Sequence, residues 1–465
     1  MKHRSGALIE FLVLRLLSIF SPVQVKVLLF SALLPAMLFI GVQSAEATNH
    51  YILAGASGTG ASWADPLGNL PTSLVRGDIY YMADGSYGNH TFNDTQSGTI
   101  VITVKKATVA DHGTSTGWND IMGDGQAFLG QLVFTRGYYI IDGQTRSADW
   151  DSGYGFVIDR SATDDHAIDM QSGTRTNITL RYIDMEGKFA GANHLDLIYL
   201  IGTDHITMEY LKVRNPSRCP ILSRDSSFLL LQYSLLGDNT YTPSFHSEGW
   251  SDGGSNNVTV RYNKWRNAIG TGVIVELAGP TSADSWIIYG NIFYITRTGG
   301  MSMGGGSIQT LVDITSTNWK IYNNTIYGAT GVGSGFYLAF GGGNDTNSEM
   351  YNNLWYSNVP ADNNTTRMDY NYYNATTHSP VEAHEQVASG NPFVNSGASD
   401  FHLVSPTNPG LSLTNATVNG ILQTYDRDMN GVLRGADGVW DRGALEFGSG
   451  VDNTPPQAPT NLRIQ

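Results

Sequence analysis

Cysteine is all but missing: Cys219 stands alone in 465 residues. No disulfide can close within the chain, so its stability has to come from buried surface rather than cross-links. A single thiol in an Arg-Cys-Pro context reads as small apolar filler rather than as a nucleophile. Charge is scarce too, at 15%, and its basic part is the smaller one. The 27 Lys and Arg against 41 Asp and Glu leave a formal net charge of −14. That balance argues against a nucleic-acid partner, whose phosphates need a basic surface. It suits a protein that meets sugars or cations. Long Ala/Leu/Glu/Lys runs are absent after the first 50 residues, and no later segment is apolar enough to span a bilayer. What is plentiful, 53 Gly and 24 Tyr, favours strands and tight turns over helices.

The apolar residues that do run together lie at the start. Lys2 and Arg4 precede Val27–Val42 (VLLFSALLPAMLFIGV), and Ala45-Glu46-Ala47 supplies a small-x-small cleavage site. We expect an export signal over 1–47 and a secreted or cell-surface chain beginning near Thr48. An uncleaved anchor is the alternative, because Glu10 and Arg15 interrupt a first apolar run. At the other end, residues 449–465 (SGVDNTPPQAPTNLRIQ) have linker composition and are expected to form a disordered tail.

From residue 170 onward one phrase recurs: NITLRYIDM, HITMEYLKV, FLLLQYSLL, NVTVRYNKW, SWIIYGNIF, NWKIYNNTI, SEMYNNLWY. Its anchor positions are Tyr182, Tyr210, Tyr233, Tyr262, Gly290, Asn323 and Asn352, with a shortened copy around Tyr370. Each phrase alternates apolar residues with period two, as a strand does, and Gly/Asn/Asp/Ser clusters separate them. Equivalent strands that return in the same sense after a turn-rich excursion are the coils of a parallel β-helix. Asn324 and Asn353, in adjacent repeats, suggest an internal asparagine ladder.

Three stretches carry a resemblance: YILAGASGTGASWADPLGNLP with RGDIYYMADGSYG (51–88), the YNN-type repeats, and YDRDMNGVLRGADGVWDRGALEF (425–447). Together they resemble the right-handed parallel β-helix proteins of the pectate-lyase-like superfold. The resemblance implies an all-β, single-stranded right-handed parallel β-helix with an N-terminal cap over 48–448. It implies architecture rather than activity, since that superfold hosts lyases, hydrolases, epimerases and inert adhesins. The paired aspartates and His-Gly of polygalacturonases are not recognisable here.

Counting back from the anchors selects a polar stripe. Fourteen back lie Asp196, Glu248 and Glu276; sixteen back lie His166, His194 and His246. Taking Leu195, Leu197 and Tyr199 as core, the histidines and carboxylates face outward, together with Trp250. Rungs about 4.8 Å apart would bring Glu248 against Glu276 and leave Asp196 about 9–10 Å from Glu248. Three chemistries fit. Stacked Asp196, Glu248 and Glu276 suit calcium, with Arg224, Arg218, Lys188 or His246 as the base of a lyase. The carboxylates also suit hydrolysis, with His246, Glu248 and Glu276 catalytic. Plain binding would use Trp250 as a sugar platform, beside His194, Asp196 and Arg224. A solvated polar face is the bland alternative. A second calcium-like spacing, Asp426, Asp428, Asn430 and Asp437, lacks flanking helices and reads better as a turn.

The expectation is a monomeric, polysaccharide-active protein, a lyase or glycosidase, with a non-catalytic glycan-binding or adhesin-like protein as the alternative.

Overall fold

The computed structural model describes residues 47–189, 195–239, 247–268, 273–276, 282–296, 308–310, 315–328, 338–340, 346–356, 367–374 and 381–448. Contacts divide the chain at Ala47–Thr48, and every described strand belongs to the unit from Thr48 onward. The expected export signal (but for Ala47) and the expected tail from 449 lie outside the described residues.

The chain is a parallel β-helix. Three long sheets, of 12, 12 and 9 strands, run along it, and almost all their pairings join parallel strands one coil apart. A right-handed coil is what the handedness rule for connected parallel strands requires. One coil contributes a strand to each sheet in turn: Thr176–Arg181 to the first, Ile183–Glu186 to the second and Ile198–Ile201 to the third. The next coil repeats this with Asp204–Glu209, Lys212–Arg214 and Ile221–Arg224.

The repeat anchors are the corners between the first and second sheets. Tyr182, Tyr210, Tyr233, Tyr262, Gly290, Asn323, Asn352 and Tyr370 all hold φ between 49° and 65°. A left-handed backbone costs an L-residue about 1–2 kcal/mol, so each corner needs a compensating neighbour. Tyrosines find it in one another: Tyr182, Tyr210, Tyr233 and Tyr262 stack with ring centroids 4.7, 5.4 and 5.2 Å apart. At Gly290 a side chain is forbidden, because a Cβ there would sit 2.6 Å from the Tyr262 ring.

Directly after the corners from Tyr233 onward the interior is polar, whereas Tyr182 and Tyr210 are followed by the core residues Ile183 and Leu211. Asn263, Asn291, Asn324, Asn353 and Asn371 are all buried and stacked. Each Oδ1 accepts both the backbone N–H and the side-chain N–H of the residue before it, as Asn324 does from Asn291 at 3.0 and 3.0 Å. The ladder starts where Asn263 Oδ1 accepts Ser234 N–H (2.9 Å) and ends where Asn371 donates to Glu382 (3.0 and 2.8 Å). The expected ladder is present and longer than the two residues that suggested it.

The remaining interior is apolar. It includes a tryptophan column, Trp250, Trp286 and Trp319, with centroids 5.5 and 5.1 Å apart. Outside, the C-terminal segment folds back over the later coils. Tyr425 packs on Tyr289 and Tyr322 of the first sheet, and Phe401 on Tyr294 and Tyr327 of the second. Connections between the first and second sheets take one or two residues from Tyr182 onward. Those into the third sheet are long and unequal, such as 187–197, 215–220, 238–249 and 267–273. Sequence freedom is therefore concentrated beside the third sheet.

Asn324→Leu strands the donors of Asn291 and the acceptors of Ile288 and Asn353. It is expected to cost about 3 kcal/mol, read as a lower urea midpoint, whereas half-buried Thr179→Leu stays within about 0.5 kcal/mol. Equal midpoints for the two variants would remove the ladder as a stabilising element.

Candidate active site

The third sheet begins with an in-register row, Ile168, Ile198, Ile221, Trp250 and Ile274. All five are buried in the core. Stepping back two residues from each of the first four gives His166, Asp196, Cys219 and Glu248. These lie in the turns that lead into the strands, where the two-residue alternation of a strand does not apply.

Asp196, expected on the outer face, is 4% exposed. Both its oxygens are held by Arg218, Oδ1 by Nε and Oδ2 by Nη2, each at 2.8 Å. Its backbone carbonyl accepts from His166 Nδ1 at 2.5 Å, and the His166 ring stacks on Tyr199 at 4.6 Å. Burial pushes the Asp196 carboxyl up despite the offsetting Arg218 charge. For Arg218 burial acts downward, but the acidic groups around it (Cys219, Asp196, Glu248) prevail and raise it.

Glu248 is fully buried one coil beyond Cys219. The Cys219 thiol donates to Glu248 Oε2 at 3.1 Å, and Glu248 N–H points back at the sulfur (3.3 Å). Burial and then the charges of Glu248 and Asp196 hold the thiol well above its ordinary range, so Cys219 is no nucleophile. Asp196 and Glu248 thus share a column two coils apart, with Arg218 and Cys219 on the coil between.

Several expectations need correction. Trp250 is not a surface platform. It is fully buried, and its indole N–H donates to Ser223 Oγ at 2.8 Å. Asp252 likewise points inward and is hydrogen-bonded by Ser223 Oγ and Ser255 N–H. Glu276 does not stack on Glu248: its Cα partner is Asp252, because the coil from Trp250 to Ile274 is shorter than the anchor count assumes. Glu276 therefore cannot join Glu248 as a carboxylate pair on adjacent coils. The calcium set of Asp196, Glu248 and Glu276 loses its third member with it, since Glu276 is out of register with the other two. Among the described residues no group of three metal-binding side chains occurs. The Asp426–Asp437 stretch is a turn: Asp428 Oδ1 accepts Asn430 and Val432 N–H, its Oδ2 accepts Glu446 N–H, and Asp437 accepts Val439 N–H. Asn430 Nδ2 lies 3.4 Å from His402 Nε2, and Asp426 N–H donates to Asn415, so those four residues converge on no ion. His194 and His246 lie outside the described residues.

Arg224 is exposed at the end of its strand, in register with Ile201 and Gly253. Tyr199, expected in the core, is half-exposed; it pairs in register with half-exposed Asp169, which sequence reasoning missed, on the outer face of the third sheet. The signal existed: in LDLIYL both alternations are apolar, and only the β-branched start at Ile198 separates them. The Cys219–Glu248 contact had none, because it joins residues 29 apart in sequence through coil stacking.

Removing Arg218 as Met leaves the Asp196 carboxylate buried without its cation, at a cost of about 3–5 kcal/mol near neutral pH. Its folded-state pKa is already raised, so the penalty shrinks as pH falls and the acid protonates, and grows as pH rises. Unfolding at pH 5 and pH 8 checks this, and Asp196→Asn in the same chain should recover most of the loss at pH 8. A loss that ignores pH would mean the ion pair is not what holds this turn.

A scan against models of known protein families and a search of curated proteins both find no match. Among solved structures, the catalytic unit of the thermostable GH87 alpha-1,3-glucanase from Streptomyces thermodiastaticus strain HF3-3 is similar at 12% identity, with a TM-score of 0.31 over 68% of this chain. The chain spans 63% of that structure's own length.

Proposed function

We propose that the protein is a secreted, monomeric polysaccharide-active enzyme, a glycoside hydrolase whose site lies where chain enters the third sheet. The observation that carries this reading is the Asp196–Glu248 column. Two coils of parallel sheet separate the carboxylates by about 9–10 Å, near the spacing that leaves room for a water and a sugar in inverting hydrolysis. Glu248, buried beside a neutral thiol, is the proton donor. Asp196, oriented by two Arg218 hydrogen bonds, holds the water. His166 and Tyr199 offer a stacked edge for the chain of sugars.

A lyase fits less well. Its base would come from this neighbourhood, and Arg218 is held more firmly protonated than an ordinary arginine. Calcium, which would neutralise a uronate in such a reaction, has no ligand set in the Asp196–Glu248 column. A second reading has its own support: the two-point Asp196–Arg218 pair is the sort of buried contact that simply locks a turn. On that reading the protein binds glycan without cleaving it, through Tyr199, Asp169 and Arg224.

The deciding experiment is a panel of neutral and acidic polysaccharides, with release of reducing ends and of unsaturated product followed with and without chelator. Reducing ends without unsaturation, insensitive to chelator, are expected. Glu248→Gln and Asp196→Asn should each lower the rate at least about 100-fold while circular dichroism stays native. Folded variants that keep the wild-type rate would exclude this pair, and binding without turnover would favour the second reading.

A further inference from the structure

Two corners between the first and second sheets break the pattern of short turns, and they are neighbours. The chain runs out over residues 107–126 after strand Ile102–Lys106, and over residues 143–155 after strand Tyr139–Asp142. A cleft of about 380 Å³ lies between them, lined by Val109, Asp124 and Gln126 of the first excursion and by Thr145 and Tyr154 of the second. That volume is within the range of small-ligand sites. Gln126 ties the two walls together, its Nε2 donating to the Tyr154 carbonyl at 2.7 Å.

The polar groups of this cleft are short of donors. Lys106, fully buried, meets Asp84 Oδ1 at 2.6 Å, and Asp84 Oδ2 accepts Gly125 N–H at 2.6 Å. Burial lowers the Lys106 ammonium, opposed first by Asp84 and only then, at longer range, by Asp124. Asp124 is exposed and makes no hydrogen bond or ion pair among the described residues. Gln126 Oε1 likewise accepts from no described residue. Two carboxylates against one ammonium leave surplus negative charge, which repels a uronate or a sulfate. A metal ion would need further ligands, and among the described residues no group of three metal-binding side chains occurs. What two free acceptors on one wall match is a pair of hydroxyl donors.

The same wall carries apolar surface. Val109, in the cleft lining, is 47% exposed. Gln126 continues the ladder of strand Ala127–Leu129, its carbonyl accepting Gly85 N–H at 3.1 Å. Phe128, two residues on, therefore shares its outward side. Phe128 is 44% exposed, with half-buried Val157 as its register partner on the next coil. Free acceptors beside exposed apolar side chains are the mixture that a sugar ring, polar at its rim and apolar on its C–H faces, requires.

We propose that this cleft is a subsite for a neutral sugar unit. Two neighbouring hydroxyls donate to the Asp124 carboxylate and to Gln126 Oε1, the ring lies against Val109, and Phe128 carries the next unit of the chain. The inference rests on reading the protein as polysaccharide-active, but not on the reaction. The cleft belongs to the second sheet, whereas the Asp196–Glu248 column stands where the chain enters the third.

Calorimetric titration of the full chain with cellotetraose, laminaritetraose, mannotetraose, xylotetraose, tetragalacturonate, tetraglucosamine and calcium chloride tests it. At least one neutral tetrasaccharide should show a binding step at least tenfold tighter than either charged one. Asp124→Ala and Phe128→Ala should each weaken that step about tenfold with an unchanged melting curve. Glu248→Gln and Asp196→Asn should leave it as in wild type. If those two keep the step and no polysaccharide is hydrolysed by the wild type, the proposed reaction fails and the subsite stands. The subsite is overturned if no neutral sugar binds, if the step survives Asp124→Ala or vanishes in Glu248→Gln, or if a charged sugar binds as tightly. Calcium binding that Asp124→Ala abolishes would overturn it too, and make the cleft a cation site.

Discussion

One backbone conformation, repeated, governs this molecule. At each corner between the first and second sheets from Tyr182 onward a residue turns left-handed, and from Tyr233 onward the side chain after it enters the interior as a rung of the polar ladder. The strain at a corner is tolerable only while the corner above and the corner below are in register. A tyrosine there loses its stacking partner if a coil slips, and a ladder asparagine loses two acceptors and two donors inside a dry core. Register along the first sheet is therefore strongly specified, and the other two sheets inherit it.

That constraint explains what could be read from the residues in order. The anchor tyrosines and asparagines stood out because a left-handed corner accepts few residue types, and each coil has to meet the same demand. Asn324 and Asn353 gave away the ladder for the same reason, although Asn263, Asn291 and Asn371 follow the same rule and had not been singled out. The third sheet imposes no such demand. Its strands are reached through connections of unequal length, so counting from a corner does not find equivalent positions. Glu276 was matched to Glu248 when its Cα partner is Asp252. Direction failed there as well. Asp196 and Glu248 precede their strands, and their burial follows from what Arg218 and Cys219 offer on the coil between them, which no two-residue alternation encodes. Trp250 looked like a platform because its neighbours are polar. In space those neighbours, Ser223 and Asp252, are interior too and give its indole a partner.

Charge follows a consistent economy. On the first sheet Arg181 lies between Asp142 and Glu209, and Gln232 links Glu209 to Arg261, so each charge meets its opposite or an amide on the next coil. Asp196 and Arg218 obey the same rule in a turn. The excursion at 143–155 follows it in part: its Asp151 neutralises Lys212 and Arg266, while Arg146 has no carboxylate partner among the described residues and lies on the Trp150 ring instead.

The most direct test of the central claim is the register itself. Thr179 and Thr207 are Cα partners on neighbouring coils, whereas Thr176 pairs with Asp204 and lies three residues out of step with Thr207. Adjacent strands bring partnered Cα atoms to about 4.8 Å, within disulfide range, while a three-residue offset adds about 10 Å along the strand. In a Cys219→Ser background, mild oxidation should cross-link Thr179→Cys/Thr207→Cys quickly and leave Thr176→Cys/Thr207→Cys open. Equal closure of the two pairs, or closure of the second alone, would contradict the stacking on which the ladder, the corners and the Asp196–Glu248 column all rely.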